Sequence, residues 1–303
     1  MKQLNNADAK RVQSLQSTIE RNRREGKFTE ALVPAQEVLK QCETALGPDH
    51  WRTDDARREI ATLEKIAALP EEGRKAMATV GALEDRLAEL YGRARYDEAV
   101  DVARGSFSIR ERWLGPEHPE TLTSLSNLAL VRESQGKPAE AEPLYRRVLS
   151  MRERVLALDH PETADSLVSL GWLLQSQGNL AEAEALLRRA LAVRERVLGP
   201  DHNDTATSLN TLAVLLKSQG KLVEAEPLLR RALAVRERVV GPDHPDTATS
   251  LNNLASLLQS QSKYGEAEPL LRRALAVRER VAGPDHPDTA NVLSNLAQLL
   301  ESQ

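Results

Sequence analysis

Aromatic residues are scarce in this chain, which has two Phe, four Tyr and three Trp among its 303 residues. Leucine, alanine and valine must therefore build the interior, and such a composition favours helices over strands. An excess of charge is also absent, since 41 Lys and Arg residues face 45 Asp and Glu residues. This balance excludes a sequence-blind nucleic-acid binder and gives no sign of a partner at a membrane surface.

Cysteine is nearly absent, and a single residue, Cys42, cannot form an intramolecular disulfide. The first residues lack the apolar segment of a secretory signal, and no apolar run approaches the roughly 18 residues of a membrane helix. We therefore expect a soluble, cytoplasmic protein with neither nucleic acid nor membrane as its partner.

Catalytic motifs are missing from the sequence. No Gly-rich phosphate loop, GxSxG elbow or HExxH stretch occurs. Cys42 has only His50 as a candidate base in its repeat, and we interpret it as filler. The sequence predicts a protein that is not an enzyme and has no cofactor.

All six histidines lie in one recurring phrase, which reads Gly-Pro-Asp-His in four of its six copies. From His118 to His286 each histidine follows the previous one by 42 residues, and the segments 206–247 and 248–289 are identical at 35 of their 42 positions. This spacing indicates an internal duplication with repeats at 80–121, 122–163, 164–205, 206–247 and 248–289. An outlying copy lies at about 12–53, and a half repeat at 290–303.

Each repeat contains the pattern of two helices. In 206–247 an apolar stripe begins at Leu209 and recurs at helical spacing, Gly220 and Lys221 interrupt it, and a second amphipathic segment runs from about Val223 to Val240. Gly241 and the proline after it end that segment. Each repeat is therefore predicted to be a helical hairpin.

Two further features of the repeat are interpreted as structural. Neighbouring loops about 8–10 Å apart cannot share a zinc ion whose ligands lie about 2 Å from it, so we predict no metal site at the histidines. Arginine-rich phrases such as Arg188-Arg189 and Arg194-Glu-Arg196 alternate with glutamates, which is typical of a solvated outer face.

The phrases Leu251-Asn-Asn-Leu-Ala255, Glu266-Ala-Glu-Pro-Leu270, Arg273-Ala-Leu275 and Gly283-Pro-Asp-His-Pro287 resemble the 42-residue tetratricopeptide repeat (TPR) of kinesin light chain. Similar arrays occur in nephrocystin-like proteins and in bacterial multidomain proteins. The resemblance covers 80–303 well and 12–53 loosely. It implies an all-α fold, a right-handed α-α superhelix (TPR solenoid) in which the first helices line a concave groove.

Some segments depart from that pattern. Ala94 and Ser262 replace a turn glycine, which predicts strained or rearranged turns. Residues 54–79 form an insertion with its own helix, followed by a long helix from about Glu71 to Arg93. We predict an N-terminal part, 1–79, with a divergent hairpin and the inserted helix (54–79), and a regular array, 80–303, that ends in a lone capping helix (290–303).

The candidate binding site is the polar face of the first helices, opposite the leucine stripe. Asparagine and glutamine offer both donors and acceptors, so a row of them can bind a peptide backbone, and Trp172 can anchor a partner residue or pack against the next helix. The predicted groove residues are Ser126, Asn127, Glu133, Val168, Trp172, Gln175, Thr207, Asn210, Val214, Lys217, Asn252, Asn253, Ser256, Gln259, Asn295 and Gln298.

These features favour a non-catalytic protein–protein interaction scaffold that binds a peptide segment or helix in the groove. The basic residues on which acidic-peptide grooves depend are few here, so a neutral or mixed-charge ligand is expected. The alternative is a regulatory or sensor TPR module of a larger effector protein, such as a kinase, a nucleotide-binding protein or a caspase-like protease. A purely structural spacer is a third possibility.

Overall fold

The computed structural model describes residues 4–302, and this part of the chain contains fourteen helices and no strand. The all-α prediction is confirmed. No helix of this part has the length and apolar character needed to cross a membrane. The helices are α1 (Asn6–Arg24), α2 (Phe28–Leu46), α3 (Trp51–Ala67), α4 (Glu71–Gly92), α5 (Tyr96–Leu114), α6 (Pro119–Ser134), α7 (Pro138–Val155), α8 (Pro161–Ser176), α9 (Leu180–Val197), α10 (Asn203–Ser218), α11 (Leu222–Val239), α12 (Pro245–Ser260), α13 (Tyr264–Ala282) and α14 (Pro287–Glu301).

The chain forms two compact units, Met1–His160 and Pro161–Gln303. In the second unit α8 pairs with α9, α10 with α11 and α12 with α13. The second helix of each pair also packs against the helix that follows it in the chain. In the first unit α4 pairs with α5 and α6 with α7 in the same way. The predicted hairpins are confirmed. We call α4, α6, α8, α10, α12 and α14 the first helices, and α5, α7, α9, α11 and α13 the second helices.

The recurring histidine phrase marks the start of every first helix except α4, which begins after Pro70. At α12, the His244 ring accepts a hydrogen bond from the backbone N–H of Asp246, and Pro245 occupies the first helical position, where its missing N–H costs nothing. At the other end of the repeat, Gly283 follows α13 with a φ of 90°, which glycine adopts without strain. Local chemistry alone therefore sets both helix boundaries.

The two turns inside hairpins that lack glycine keep the same shape as the others. Ala94 has a φ of 53° and Ser262 a φ of 60°, close to the 77° of Gly220 at the equivalent turn. A side chain at such an angle costs roughly 1 kcal/mol or more. The sequence predicted that these turns would be either strained or rearranged. Their backbone angles show that they are strained and not rearranged.

The apolar interior follows the leucine stripe of the first helices. In α10, Leu209, Leu212, Leu215 and Leu216 are each at most 1% exposed. In the first unit, one core cluster surrounds Leu122 and Leu125 between α4, α5 and α6, and a separate cluster joins α1, α2 and α3. Predicted stripes thus become buried faces in both units.

Helices α3 and α4 occupy the irregular part of the first unit. The long helix predicted from Glu71 is confirmed as α4, which ends at Gly92. Helix α3 lies against the ends of other elements: Thr62 contacts His118 at 3.1 Å, Lys65 Nζ donates to the carbonyl of Leu114 at 2.7 Å, and Asp55 contacts His160 at 3.1 Å. The predicted boundary between the N-terminal part (1–79) and the regular array (80–303) falls within α4. This division of the chain stays a prediction.

The strained turn leads to a first prediction. Ser262→Gly should stabilise the protein by roughly 0.5–1 kcal/mol, because relief of the left-handed strain exceeds the entropy that glycine gains in the unfolded chain. Gly220→Ala is the matched opposite, since no atom lies within 4 Å of the added carbon and only the φ of 77° opposes it. Denaturant unfolding of both variants checks this, and equal midpoints for the two would contradict it.

Candidate functional site

Arginines of the second helices hold neighbouring first helices in place. Arg236 of α11 is 4% exposed, and its Nη1 donates to the carbonyl of Asp246 at 2.9 Å and to Ser250 Oγ at 3.0 Å, both on α12. Its Nη2 donates to Thr207 Oγ1 on α10 at 3.0 Å. One guanidinium therefore joins three helices, and the predicted groove residue Thr207 serves this junction.

The same junction recurs one repeat earlier and corrects the sequence interpretation. Arg194 of α9 is 7% exposed and donates to the carbonyl of Asp204 at 2.9 Å, to Ser208 Oγ at 2.8 Å and to Asp165 at 2.5 Å. Its assignment to a solvated outer face is wrong, because its fork of donors is satisfied inside the unit. The missed signal was a serine 14 residues after the arginine in four of the copies, beginning with Arg110, whereas Val292 stands there after Arg278.

The positions predicted to form the groove lie on one face of the first helices, which we call the first-helix face: residues 207, 210, 211, 214 and 217 of α10 and their equivalents 42 residues apart. Asn210 is not accessible there. It is 5% exposed, and its Nδ2 donates to Ser250 Oγ at 2.7 Å and to the carbonyl of Ala206 at 3.3 Å. Its assignment to a ligand-binding row is therefore wrong, because its donor already joins α10 to α12.

Other polar members of the face also bond to each other. Lys217 Nζ lies 2.5 Å from Ser256 Oγ, and Asn295 Nδ2 donates to Asn252 Oδ1 at 2.9 Å. Burial lowers the pKa of Lys217, which forms no ion pair with any residue of 4–302. These contacts reduce the number of amide groups that a visiting backbone can use.

Several predicted residues of the second unit remain accessible. Trp172 of α8 is 47% exposed, an unusual exposure for so large an apolar side chain in a chain this poor in aromatics. Val168, Gln175, Val214, Asn253, Ser256 and Gln259 are half-buried, and Gln298 is exposed. The accessible part of the face is thus more apolar than a row of asparagines and glutamines would be.

In the first unit the predicted residues are divided between solvent and the hairpin interior. Ser126 and Asn127 of α6 are half-buried. Glu133 accepts a hydrogen bond from Tyr145 Oη of α7 at 2.9 Å, and burial raises the pKa of Glu133. The Glu133 carboxylate therefore fastens α6 to α7.

Helix α1 covers part of the first-helix face at α4. Arg24 forms an ion pair with Asp85, and its Cγ lies 3.0 Å from the position that a Cβ on Gly81 would take. Residues 81 and 85 are the equivalents of 207 and 211 in α10. The first regular repeat therefore has this part of its face occupied by the chain's own N-terminal helix.

The same end of α1 enters a partly buried charge network. Arg23 pairs with Glu59 of α3 at 2.9 Å and with Glu120 of α6 at 2.6 Å. Burial alone would raise the pKa of Glu120, but Arg23 and Arg110 outweigh it and hold that pKa below its ordinary value. Arg23 and Glu120, 97 positions apart in the chain, thus stabilise one another. The repeat pattern of the sequence does not predict this pair.

Behind this network lies a cavity of about 440 Å³ between α1 and α3, with Ala35, Val38 and Cys42 of α2 among its lining residues. Cys42 is 2% exposed, and burial raises the pKa of its thiol. No group of three or more His, Cys, Asp or Glu residues suited to a metal ion occurs within residues 4–302.

Five histidines, at positions 50, 118, 202, 244 and 286, each cap a helix through the ring nitrogen Nδ1. Nδ1 of His118 accepts the backbone N–H of Glu120 at 3.3 Å, and its Nε2 lies 3.1 Å from Thr62 Oγ1. Because the Thr62 hydroxyl donates to the carbonyl of Arg58, it must accept from Nε2–H. This pattern requires a neutral ring, and burial lowers the pKa of His118.

Comparison with known proteins identifies the family. The family model of the tetratricopeptide repeat matches residues 79–154, 135–196, 163–238, 212–280 and 250–303. The chain belongs to the tetratricopeptide repeat family, and its repeats are similar to those of kinesin light chains. No curated protein matches.

Two solved structures share the fold. One is a Podosopora anserina protein of kinesin light chain type with nearly identical TPR-like repeats, with 25% identity, a TM-score of 0.56, and coverage of 67% of this chain and 96% of that one. The other is BtubC (BKLC) of P. vanneervenii, with 25% identity, a TM-score of 0.56, and coverage of 73% of this chain and 84% of that one.

Arg23→Ala should weaken the packing of α1 on the rest of the first unit, because Glu59 and Glu120 lose the cation that they share. Alkylation of Cys42 by N-ethylmaleimide under native conditions should become about tenfold faster, as expected for an opening made easier by roughly 1.4 kcal/mol. Arg11→Ala is the control, since it removes the exposed pair with Glu37 and should change the rate by less than about twofold. Equal rates in all three proteins would rule out this account of the network.

A pH prediction concerns His118, whose ring faces Thr62, Glu120, Lys65, Arg110 and Arg23. A histidine with a lowered folded-state pKa favours folding above its unfolded pKa of about 6.5, and this contribution falls as pH drops through the folded-state pKa. The free energy of unfolding should therefore decrease from pH 7.5 to 5.5. His118→Asn keeps a capping acceptor without the titration.

Urea unfolding at each pH measures this effect. The decrease should be smaller in His118→Asn than in the wild type. Parallel pH profiles for the two proteins would show that protonation of the His118 ring does not contribute to the pH dependence of the free energy of unfolding.

Proposed function

We propose that this protein is a non-catalytic, cytoplasmic interaction scaffold that binds a segment of a partner protein against the first-helix face of α8, α10 and α12. Membership of the tetratricopeptide repeat family supports the general role, because such arrays present extended surfaces for binding. The proposed surface is the concave groove lined by these three first helices, within the second unit.

The exposure of Trp172 carries this proposal. Trp172, Val214 and Ser256 occupy equivalent positions on α8, α10 and α12, so they form one row across the second unit. Tryptophan is enriched among the residues that dominate binding energy, and covering a half-exposed indole is favourable. The row offers an aromatic and an aliphatic side chain in succession.

An extended peptide matches the spacing of that row. Packed helices lie about 8–10 Å apart, and three residues of extended chain span about 10 Å. A segment that crosses the first helices would place about one side chain over each of them. Trp172 and Val214 would take apolar side chains, while Asn253 and Gln259 would contribute hydrogen bonds.

The ligand is proposed to be of neutral or mixed charge. Lys217, held by Ser256 Oγ, has no ion-pair partner in the part of the chain that the structure describes, so it suits a single acidic group rather than an acidic run. Asn210 takes no part, because its side chain is buried between α10 and α12.

We also propose that residues 1–79 act as an N-terminal cap for the array at 80–303. Helix α1 occupies the first-helix face at Gly81 and Asp85, so a ligand would lie on later repeats. We therefore propose that the binding surface does not include α4.

A peptide display selection tests the proposed surface. The wild-type protein should enrich an apolar consensus from a random library, and synthetic peptides of that consensus should bind Trp172→Ala at least tenfold more weakly, a loss of roughly 1.4 kcal/mol. The melting temperature should change little, because the indole is half exposed.

Two variants serve as controls. Val223→Ala alters an 85% exposed apolar side chain on α11 and should leave peptide binding unchanged. Asn210→Ala should lower the free energy of unfolding by about 1 kcal/mol without weakening binding through lost contacts. Full affinity in Trp172→Ala would exclude this face as the site.

A further inference from the structure

Glu133 is a carboxylate without a cationic partner on the first-helix face of the first unit. Its Oε2 accepts the hydrogen bond from Tyr145 Oη, whereas its Oε1 accepts none from the part of the chain that the structure describes. Burial raises the pKa of the Glu133 carboxyl, and the hydrogen bond from Tyr145 offsets only part of that effect. A cation placed beside Oε1 would therefore stabilise the ionised form.

The basic residue next to Glu133 in the chain serves other partners. Arg132 Nε lies 3.3 Å from a carboxylate oxygen of Glu140 on α7, and Arg132 Nη1 donates to Gln135 Oε1 at 3.1 Å. The carboxylate of Glu133 therefore gains no neutralising contact from its own helix. A cation that pairs with it has to come from a ligand.

The other repeats show that the Tyr145–Glu133 pair is not needed to build a hairpin. The residues equivalent to Glu133 in α8, α10 and α12 are glutamine or lysine. The residues equivalent to Tyr145 in α9, α11 and α13 are apolar and at most 1% exposed: Leu187, Leu229 and Leu271. A buried phenol and a half-buried carboxylate cost more to desolvate than leucine does. The pair therefore points to a requirement other than folding.

An aliphatic and an aromatic side chain flank the carboxylate. Leu130, one helical turn before Glu133, is 41% exposed. Tyr91 of α4 is half-buried, and its Oη lies 3.0 Å from Oγ of Ser134, the residue after Glu133. Helix α1 covers α4 at Gly81 and Asp85, which lie nearer the start of that helix than Tyr91 does. The surface around Glu133 thus combines one negative group with apolar surface.

A lysine or arginine side chain matches this combination. Such a side chain lays its aliphatic stem along apolar surface and carries its charge at the tip. Residues three apart on a helix have Cβ atoms about 5–6 Å from each other, so a stem that contacts Leu130 can bring its charged tip to Glu133. An acidic ligand would instead be repelled by the carboxylate.

We infer that Glu133, Leu130 and Tyr91 form a subsite for a basic residue of a partner protein, presented in a segment that also carries an apolar residue. The subsite lies within the first unit and is centred on α6. It uses no residue of the surface around Trp172, so it stands or falls separately from the function proposed above.

Two displayed libraries of random dodecapeptides test this inference. They are identical except for the central residue, which is lysine in one library and glutamate in the other. Trp172→Ala is the target, so that the surface proposed above does not contribute. The lysine library should enrich a consensus with an aliphatic or aromatic residue near the lysine, and the glutamate library should enrich none.

A fluorescein-labelled peptide of that consensus is then measured by fluorescence anisotropy. It should bind the wild type and Trp172→Ala alike, and it should bind Glu133→Gln at least tenfold more weakly because the charge pair is lost. The melting temperature of Glu133→Gln should change little, since the new amide oxygen still accepts the hydrogen bond from Tyr145. Glu98→Gln is the matched control: it removes the same charge from an exposed side chain of α5 and should leave binding unchanged.

A charge exchange separates recognition from a structural role of Glu133. Glu133→Lys should lose the lysine peptide and should bind the same peptide with glutamate in place of the lysine. Equal enrichment from the two libraries, or equal affinity of the lysine peptide for the wild type and Glu133→Gln, would overturn the inference.

Discussion

A single helix pair cannot cover the apolar surface of a first helix, and this constraint governs the whole array. Leu209, Leu212, Leu215 and Leu216 of α10 point in several directions around the helix and are all buried. Covering them requires both the second helix of the same hairpin and elements of the neighbouring repeats. Stability therefore resides in the junctions between repeats at least as much as in the hairpins themselves.

Polar groups at these junctions determine which surface is left for binding. Thr207 accepts a hydrogen bond from Arg236, and Asn210 donates one to Ser250 of α12, so residues that look suited to a ligand in the sequence are engaged within the protein. Most buried polar groups in proteins are hydrogen-bonded, and a regular array supplies partners at a constant spacing. What remains accessible is the less regular part of the face, where Trp172 interrupts the pattern.

Most of the helical architecture could be predicted from the sequence, because its signals are local and repeated. The histidine phrase and the leucine spacing predict the hairpins, and the proline before α4 predicts its start. The accessible part of the first-helix face could not be predicted in this way, because Asn210 and Asn253 occupy similar polar positions but differ in burial, which depends on side chains 40 residues away. The pairing of Arg23 with Glu120 has no periodic signal at all, since α1 belongs to no regular repeat.

The arginine junction has a consequence for how such a chain can change over time. Arg194 and Arg236 each bond to residues 14 positions later, across the boundary between one repeat and the next. Gain or loss of a block of 42 residues among repeats that keep this pair would leave an arginine and a serine 14 positions apart, wherever the cut fell. Substitution of either residue removes the pair, as at Arg278, where Val292 stands 14 residues later. The junction therefore constrains which residues can change more than it constrains how many repeats the array contains.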